Sequence, residues 1–242
     1  MDRIDRLDTP STGSGPERDR FDQEEVAARL EGMSAERILE WAFAEFGSSL
    51  YFACSFQKTS SVMAHMASSI NRSARFFYLD TGVLFPETYA TRDRLAEAFG
   101  VKFDRWHGIS LEEQAREHGE RLWESDPDAC CGLRKVEPMR EALSGVDCWV
   151  AGVRREDSST RAGAPKFAWD GRFGLWKLNP LADWSERDVW DYLNEHDLPY
   201  NPLHDQGYPS IGCTHCTQPV HPGQGVREGR WSGSGKTECG IN

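Results

Sequence analysis

Apolar positions along this chain switch between two periods. Over residues 23–46 they recur at helical spacing, with Ile38, Leu39, Ala42 and Phe43 following Ser34, an N-cap that divides the stretch into two short helices. From Ser48 onward, short apolar runs alternate with helical patterns. Leu50–Ala53 reads as a buried strand, 60–70 as a helix and Arg75–Leu79 as a second strand. Pro86 stands at a first helical position and Gly100 at a C-cap, which predicts a helix over 86–99. A third strand covers 101–106, Ser110 with Glu113 forms a capping-box pattern, and 129–143 reads as helix in spite of Pro138. Strands over 148–153 and Leu175–Leu178 follow, then a helix from a Ser185 cap to His196.

Such alternation, with apolar strands, predicts an α/β fold: a mainly parallel sheet covered by helices, binding ligands at the C-terminal ends of its strands. The flanks differ from this body. Residues 1–22 begin with a stretch rich in Pro, Gly, Ser and charge and are expected to form a disordered leader. Residues 23–216 form the α/β domain. Residues 217–242 are rich in Gly, Pro and Ser with little periodicity and are expected to form a flexible C-terminal tail.

Composition narrows the class. Of 242 residues, 38% are hydrophobic and 28% charged, and no run approaches the roughly 18 apolar residues of a membrane helix. Residues 1–20 hold no apolar signal region. The expectation is a cytoplasmic protein with no membrane partner. A net charge of −11 speaks against a nucleic-acid partner. The excess is uneven: residues 1–50 carry 12 acidic and 6 basic side chains, so an anionic substrate must be held further along by local cationic clusters.

Seven cysteines in a reducing compartment favour metal or redox chemistry over structural bridges. Cys130-Cys131 is an adjacent pair on a predicted helix, and Cys213-Thr-His-Cys216 is a CxxC in a loop. Four soft thiolates suit an iron–sulfur cluster or zinc. Neighbouring helical side chains diverge by about 100°, so the adjacent pair fits a cubane better than a mononuclear zinc site. Unligated thiols and a redox-active CxxC remain open on these residues alone. Cys54 and Cys148 fall in or beside strand patterns and read as small buried residues. Cys239, close to the C-terminus, could be carried by a tail into a site, with Lys236 favouring the thiolate and Glu238 opposing it.

After the first strand, Ser55-Phe56-Gln57-Lys58-Thr59-Ser60-Ser61 supplies a loop of small hydroxyl residues leading into a helix, a geometry suited to anions. It lacks the glycines of a Walker loop. Lys135, Arg154, Arg155, Arg161, Arg227 and Arg230 are the cationic candidates, since a guanidinium fork suits phosphate and sulfate.

Several of these segments occur together, in one order. They are Ser55-Phe56-Gln57-Lys58, Leu79-Asp80-Thr81-Gly82 with Pro86-Glu87-Thr88-Tyr89, Cys130-Cys131-Gly132-Leu133-Arg134-Lys135, and Gly152-Val153-Arg154-Arg155 with Thr160-Arg161. Asn179-Pro180-Leu181 with Trp184-Ser185, Gly212-Cys213 to Cys216, Arg227-Glu228-Gly229-Arg230-Trp231 and Lys236-Thr237-Glu238-Cys239-Gly240 complete them. From about Leu50 to its end the chain resembles the assimilatory adenylyl-sulfate reductases within the phosphoadenylyl-sulfate reductase family. The resemblance implies a Rossmann-like sheet of the adenine nucleotide α-hydrolase type. It implies that Cys130, Cys131, Cys213 and Cys216 ligate a [4Fe–4S] cluster. Cys239 would attack the sulfur of adenosine 5′-phosphosulfate, giving AMP and an S-sulfocysteine that thioredoxin, or a glutaredoxin-like donor, resolves to sulfite. Ser55 and Leu79 would then contact the nucleotide, and Lys135, Arg161, Arg227 and Arg230 the phosphosulfate. Two other readings stay in view, a 3′-phosphoadenylyl-sulfate reductase and a non-catalytic zinc-binding module. Oligomeric state, including a homo-oligomer, is left open by the sequence.

Overall fold

Five parallel strands and one antiparallel strand form the central sheet of a computed structural model that describes residues 18–241. The expected leader lies outside the described residues up to position 17. From Arg18 the chain enters the fold, and Phe21 packs edge-on against Trp41, Phe167 and Trp176. Helices α1 (Gln23–Glu31) and α2 (Ala35–Phe46) follow. Ser34 caps α2 by accepting the Arg37 N–H, and Ile38, Leu39 and Ala42 bury the inward face.

The strands are β1 (Leu50–Ala53), β2 (Arg75–Leu79), β3 (Phe103–Trp106), β4 (Cys148–Val150), β5 (Phe167–Asp170) and β6 (Leu175–Leu178), ordered β3-β2-β1-β4-β6-β5. All neighbours are parallel except β5 and β6. The edge strand β5 is absent from the sequence-based reading. It is an antiparallel hairpin partner of β6 with no helix between them, so it falls outside the strand–helix alternation. The order reverses between β1 and β4, which opens a crevice at their carboxyl ends.

Helices α3 (Lys58–Ile70), α4 (Pro86–Phe99), α5 (Leu111–His118), α6 (Leu122–Ser125), α7 (Pro127–Cys131), α8 (Glu137–Ala142) and α9 (Glu186–Glu195) complete the framework. Pro86 opens α4, Gly100 closes it with φ +65°, and Ser110 and Ser185 make full capping boxes with Glu113 and Asp188. The main core lies between the sheet and α2, α3 and α9, where Phe52, Phe76, Val150 and Leu178 meet Ile38, Val62 and Val189. Cys54 and Cys148 are buried there, as expected. Among the described residues no helix is long and apolar enough to cross a membrane.

The predicted 129–143 helix is one helical run with a π turn in its middle, at Gly132–Val136. The π turn changes which face Cys130 and Cys131 share with Lys135, and such turns recur at functional sites. It also accommodates Pro138. In the π pattern the Leu133 carbonyl would pair with residue 138, which has no N–H, and that carbonyl instead lies against Gly108.

Candidate active site

The crevice at the switch point is lined by the loop after β1, the ends of β2 and β4, the π turn and the C-terminal segment. Ser55, Leu79, Lys135, Arg161, Cys213, Arg227, Arg230 and Cys239 all border it, so segments spread over most of the chain meet in one cleft. Cys130, Cys131 and Cys216 do not line it. Cys131 lies behind its wall, packed with Trp231 and Cys239, with Cys216 alongside.

The floor is the 55–60 loop. Phe56 has φ +56°, a strained value for a non-glycine residue, and is fixed there by burying its ring edge-on against Tyr78 and Phe103. The Ser55 N–H donates to Ser60 Oγ at 3.0 Å, and Gln57 Oε1 accepts the Ile211 N–H at 2.9 Å. Lys58 is buried, pairs with Glu186 at 2.8 Å and donates to the Pro209 carbonyl at 3.3 Å. These contacts set the first turn of α3 along the cleft, with the N–H groups of Ser55, Lys58, Ser60 and Ser61 paired inside the protein.

The cysteine segments converge on residues 81–84. Thr214 N–H donates to the Val83 carbonyl at 2.8 Å, Thr81 Oγ1 lies 3.3 Å from Cys213 Sγ, and Arg134 donates to the Thr81 carbonyl at 2.6 Å. Cys130, Cys131 and Cys213 are buried and Cys216 is half-buried. Burial raises the Cys130 thiol, with Cys131 and Cys213 adding to it, and pushes Cys216 up to about 11 with Cys213 adding. Cys130, Cys131 and Cys216, whose anionic forms are disfavoured chiefly by burial, together with the soft donor Cys213 suit a cationic metal centre that offsets thiolate charge. Among the described residues, no group of three or more His, Cys, Asp or Glu is arranged around a single metal ion. His215, inside the CxxC, stacks on Trp123 with centroids 4.0 Å apart.

The C-terminal segment folds back over the cleft. Trp231 N–H donates to the Cys216 carbonyl at 3.0 Å, and Thr217 pairs with Arg230 in an antiparallel bridge. Cys239 is 9% exposed. Burial pushes its thiol up, but Lys135, the Ile241 backbone N–H and Arg230 outweigh that, so its pKa lies below the ordinary thiol value in spite of Glu238. Burial of Lys135 is outweighed in the same way by Cys213, Cys239 and Cys131, which hold it charged. Arg227 is lowered to about 10 by burial and by Arg161, with Glu238 acting against this.

Two residues organise these charges without standing among the sequence-based candidates. Trp231, at φ +48°, carries four cations within 6 Å of its indole: Arg230 at 4.5 Å, Arg227 and Lys236 at 5.7 Å and Lys135 at 5.9 Å. Glu238 receives Arg161 and Arg227. Trp231 follows the Arg-Glu-Gly-Arg segment directly, which was the available signal. Its clustering of cations depends on tertiary placement. Arg154, by contrast, pairs with Asp157 and Glu186 at 2.8 and 2.7 Å, and Arg155 with Glu31, so both are committed structurally.

Fold and cleft together define an α/β protein of the adenine nucleotide α-hydrolase-like type, with cations and a thiol gathered where the strand order reverses. Residues 49–219 match the phosphoadenosine phosphosulfate reductase domain, and the chain belongs to that family. It is 48% identical over 217 residues to the adenosine 5′-phosphosulfate reductase of Salinibacter ruber, covering 89% of this chain and 86% of that one. It is 44% identical over 207 residues to adenosine 5′-phosphosulfate reductase 1 of Bacillus subtilis, covering 85% and 89%. The phosphoadenylyl-sulfate reductase of Candida auris, solved as a phosphate complex, superposes with a TM-score of 0.75 at 31% identity, over 85% of this chain and all of that one. The FMN adenylyltransferase of Candida glabrata shares the fold at a TM-score of 0.57 and 14% identity, over 81% and 64%.

Proposed function

We propose that this chain reduces adenosine 5′-phosphosulfate to sulfite and AMP in assimilatory sulfate reduction, with Cys239 as nucleophile. The observation that carries the reading is the placement of Cys239: a buried thiol with a lowered pKa, bordering the same cleft as Lys135, Arg161, Arg227 and Arg230. The relatives that bear the adenosine 5′-phosphosulfate reductase name, at 48% and 44% identity, support the substrate.

The Cys239 thiolate attacks the sulfonate sulfur. An S–S bond forms, the S–O bond to phosphate breaks, and the pair leaves with AMP, a stabilised anion that needs no strong acid. Lys135, Arg161, Arg227 and Arg230 hold the phosphosulfate and offset charge on the departing phosphate. Ser55 and Leu79, at the loop after β1 and the end of β2, contact the nucleotide. The S-sulfocysteine is then attacked by a thioredoxin thiolate, which expels sulfite. The second thioredoxin thiol restores Cys239 and leaves thioredoxin oxidised, so its dithiol supplies both electrons.

Cys130, Cys131, Cys213 and Cys216 would hold a [4Fe–4S] cluster. When bound, it would tether the π-turn helix to the 213–216 loop and place a fixed charge near Lys135.

The test is intact mass spectrometry of the reduced, anaerobically purified protein after exposure to adenosine 5′-phosphosulfate without thioredoxin. The expected result is one added SO₃, mapped to Cys239, with stoichiometric AMP. No addition in iron-replete protein overturns the reading. The Candida auris likeness favours a second reading, a 3′-phosphorylated substrate, which the same experiment with that nucleotide separates.

A further inference from the structure

Glu238 precedes the nucleophile, and its carboxylate sits where an anionic ligand would be expected. Arg161 grips it side-on, with Nε donating to Oε1 at 2.9 Å and Nη2 to Oε2 at 2.8 Å. Arg227 Nη2 donates to Oε2 at 3.0 Å, and Thr160 Oγ1 to Oε1 at 3.2 Å. Two guanidinium groups and a hydroxyl around one pair of oxygens make a seat equally suited to phosphate or sulfonate oxygens. Both arginines border the cleft, and their side chains are only 13% and 14% exposed.

Asp157 Oδ2 also takes Arg161 Nη1 at 3.3 Å, and the Thr237 carbonyl takes Arg227 Nη2 at 2.9 Å, yet these acceptors do not use the whole seat. The buried Nε atoms of Arg227 and Arg230 have no hydrogen-bond partner among the described residues. Arg230 borders the same cleft and is 7% exposed, with Nη1 directed to Ser210 Oγ and the Ile211 carbonyl. Donors left over in a buried cationic site favour a ligand with more oxygens and more charge than a carboxylate.

We propose that Glu238 is a built-in stand-in for the substrate's anion: its carboxylate holds Arg161 and Arg227 in register and yields them when the phosphosulfate arrives. This deepens the reading above and rests on it for the identity of the anion. The carboxylate and the ligand then compete for the same N–H groups. Apparent anion affinity is therefore lower than the arginines alone would give, and Glu238 is a specificity-determining positioning residue. Only a ligand that outbids a carboxylate gains the seat.

The experiment is calorimetric titration of the iron-replete protein with inorganic sulfate and with AMP, at ionic strength held constant with chloride. E238Q keeps the shape and removes the charge. Sulfate is expected to bind it about tenfold more tightly than wild type, the scale of a lost charge-assisted contact. Arg161→Ala is expected to bind sulfate weakly whether or not Glu238 is changed. Unchanged or weaker sulfate binding in an E238Q protein that melts cooperatively overturns the proposal. Should E238Q not fold, E238D carries the test: its shorter arm cannot reach both arginines, so binding tightens by a smaller factor, and no change overturns the proposal. The readout is binding of inorganic sulfate, so absent turnover of adenosine 5′-phosphosulfate would sink the substrate reading while leaving this result standing.

Discussion

His204 Nε2 accepts the backbone N–H of Lys58 at 3.1 Å, joining residues 146 positions apart. Lys58 is the first residue of α3, whose cap residue Gln57 makes no side-chain capping bond. The imidazole thus takes up a donor that the helix leaves unsatisfied at the start of α3, beside the cleft. Its other nitrogen, Nδ1, lies 2.9 Å from the Tyr208 carbonyl, which can only accept. The ring is therefore the neutral Nδ1–H tautomer, and a second proton would have to displace the Lys58 contact.

This arrangement makes stability depend on pH in a defined window. Burial, then the Lys58 charge, lowers His204 from 6.5 to about 4, against the opposing Tyr208 carbonyl and Glu186. The unfolded chain therefore binds the proton more readily than the folded one. The contribution of His204 is complete above the unfolded value of 6.5 and is lost as pH falls through the folded value of about 4. It is on the order of 3 kcal/mol. Thermal unfolding of wild type and His204→Gln across this range checks it: the variant's melting temperature should fall less steeply with acid.

Gly108 should tolerate no side chain. A Cβ there would lie 1.9 Å from the Leu133 carbonyl oxygen and 3.0 Å from its carbon, both backbone atoms of the π turn. Neither can swing aside, so Gly108→Ala must push the turn that carries Lys135 away from the 103–108 segment. A loss of about 1–3 kcal/mol in stability is expected, as for other overpacked sites, measured by urea unfolding. Turnover should fall with it through displacement of Lys135.

What the sequence made legible, and what it did not, divides by distance along the chain. The strand–helix order could be read because buried strands and capped helices leave local marks, such as Pro86, Gly100 and the Ser110 and Ser185 boxes. Strand β5 escaped because it joins β6 through a hairpin with no helix between, outside the strand–helix alternation that marked the other strands. The π turn escaped because Leu133, Arg134 and Lys135 are ordinary helix formers, and Gly132 at its start and Pro138 beyond its end were the hints of a register change. Ser55, Leu79, Lys135, Arg161, Cys213, Arg227, Arg230 and Cys239 border the cleft and Cys131 packs behind it, yet Glu238 in the Arg161–Arg227 seat, Lys135 over Trp231 and His204 on Lys58 are tertiary pairings with no local signature.

Two cysteine variants should separate the roles of the thiols. Cys131→Ser is expected to lose most of its iron and the visible chromophore, as measured by metal analysis and absorption of anaerobic protein. Cys239→Ser should keep iron and AMP binding while turnover falls about 10³-fold or more, the effect of removing a nucleophile. The distinction is informative because Cys131 and Cys239 pack in the same small cluster with Trp231. Iron loss in Cys239→Ser would place that thiol among the ligands and remove it from the reaction.

Gly212 tests the cationic cleft through Arg230. A Cβ at this position would lie 2.2 Å from Arg230 Nη2 and 2.6 Å from its Cζ. A flexible side chain could ordinarily move, but this guanidinium is stacked on Trp231 at 4.5 Å and bonded to Ser210 Oγ and the Ile211 carbonyl at 3.2 and 3.3 Å. Gly212→Ala must therefore expel Arg230 from its slot. Loss of one charge-assisted contact to the substrate should raise KM for adenosine 5′-phosphosulfate about tenfold. It should also raise the Cys239 pKa, since Arg230 is one of the groups that lower it. Steady-state kinetics together with the pH dependence of Cys239 alkylation would show both effects. A variant with wild-type KM and an unshifted alkylation profile would mean that Arg230 stays in place or does not touch the substrate.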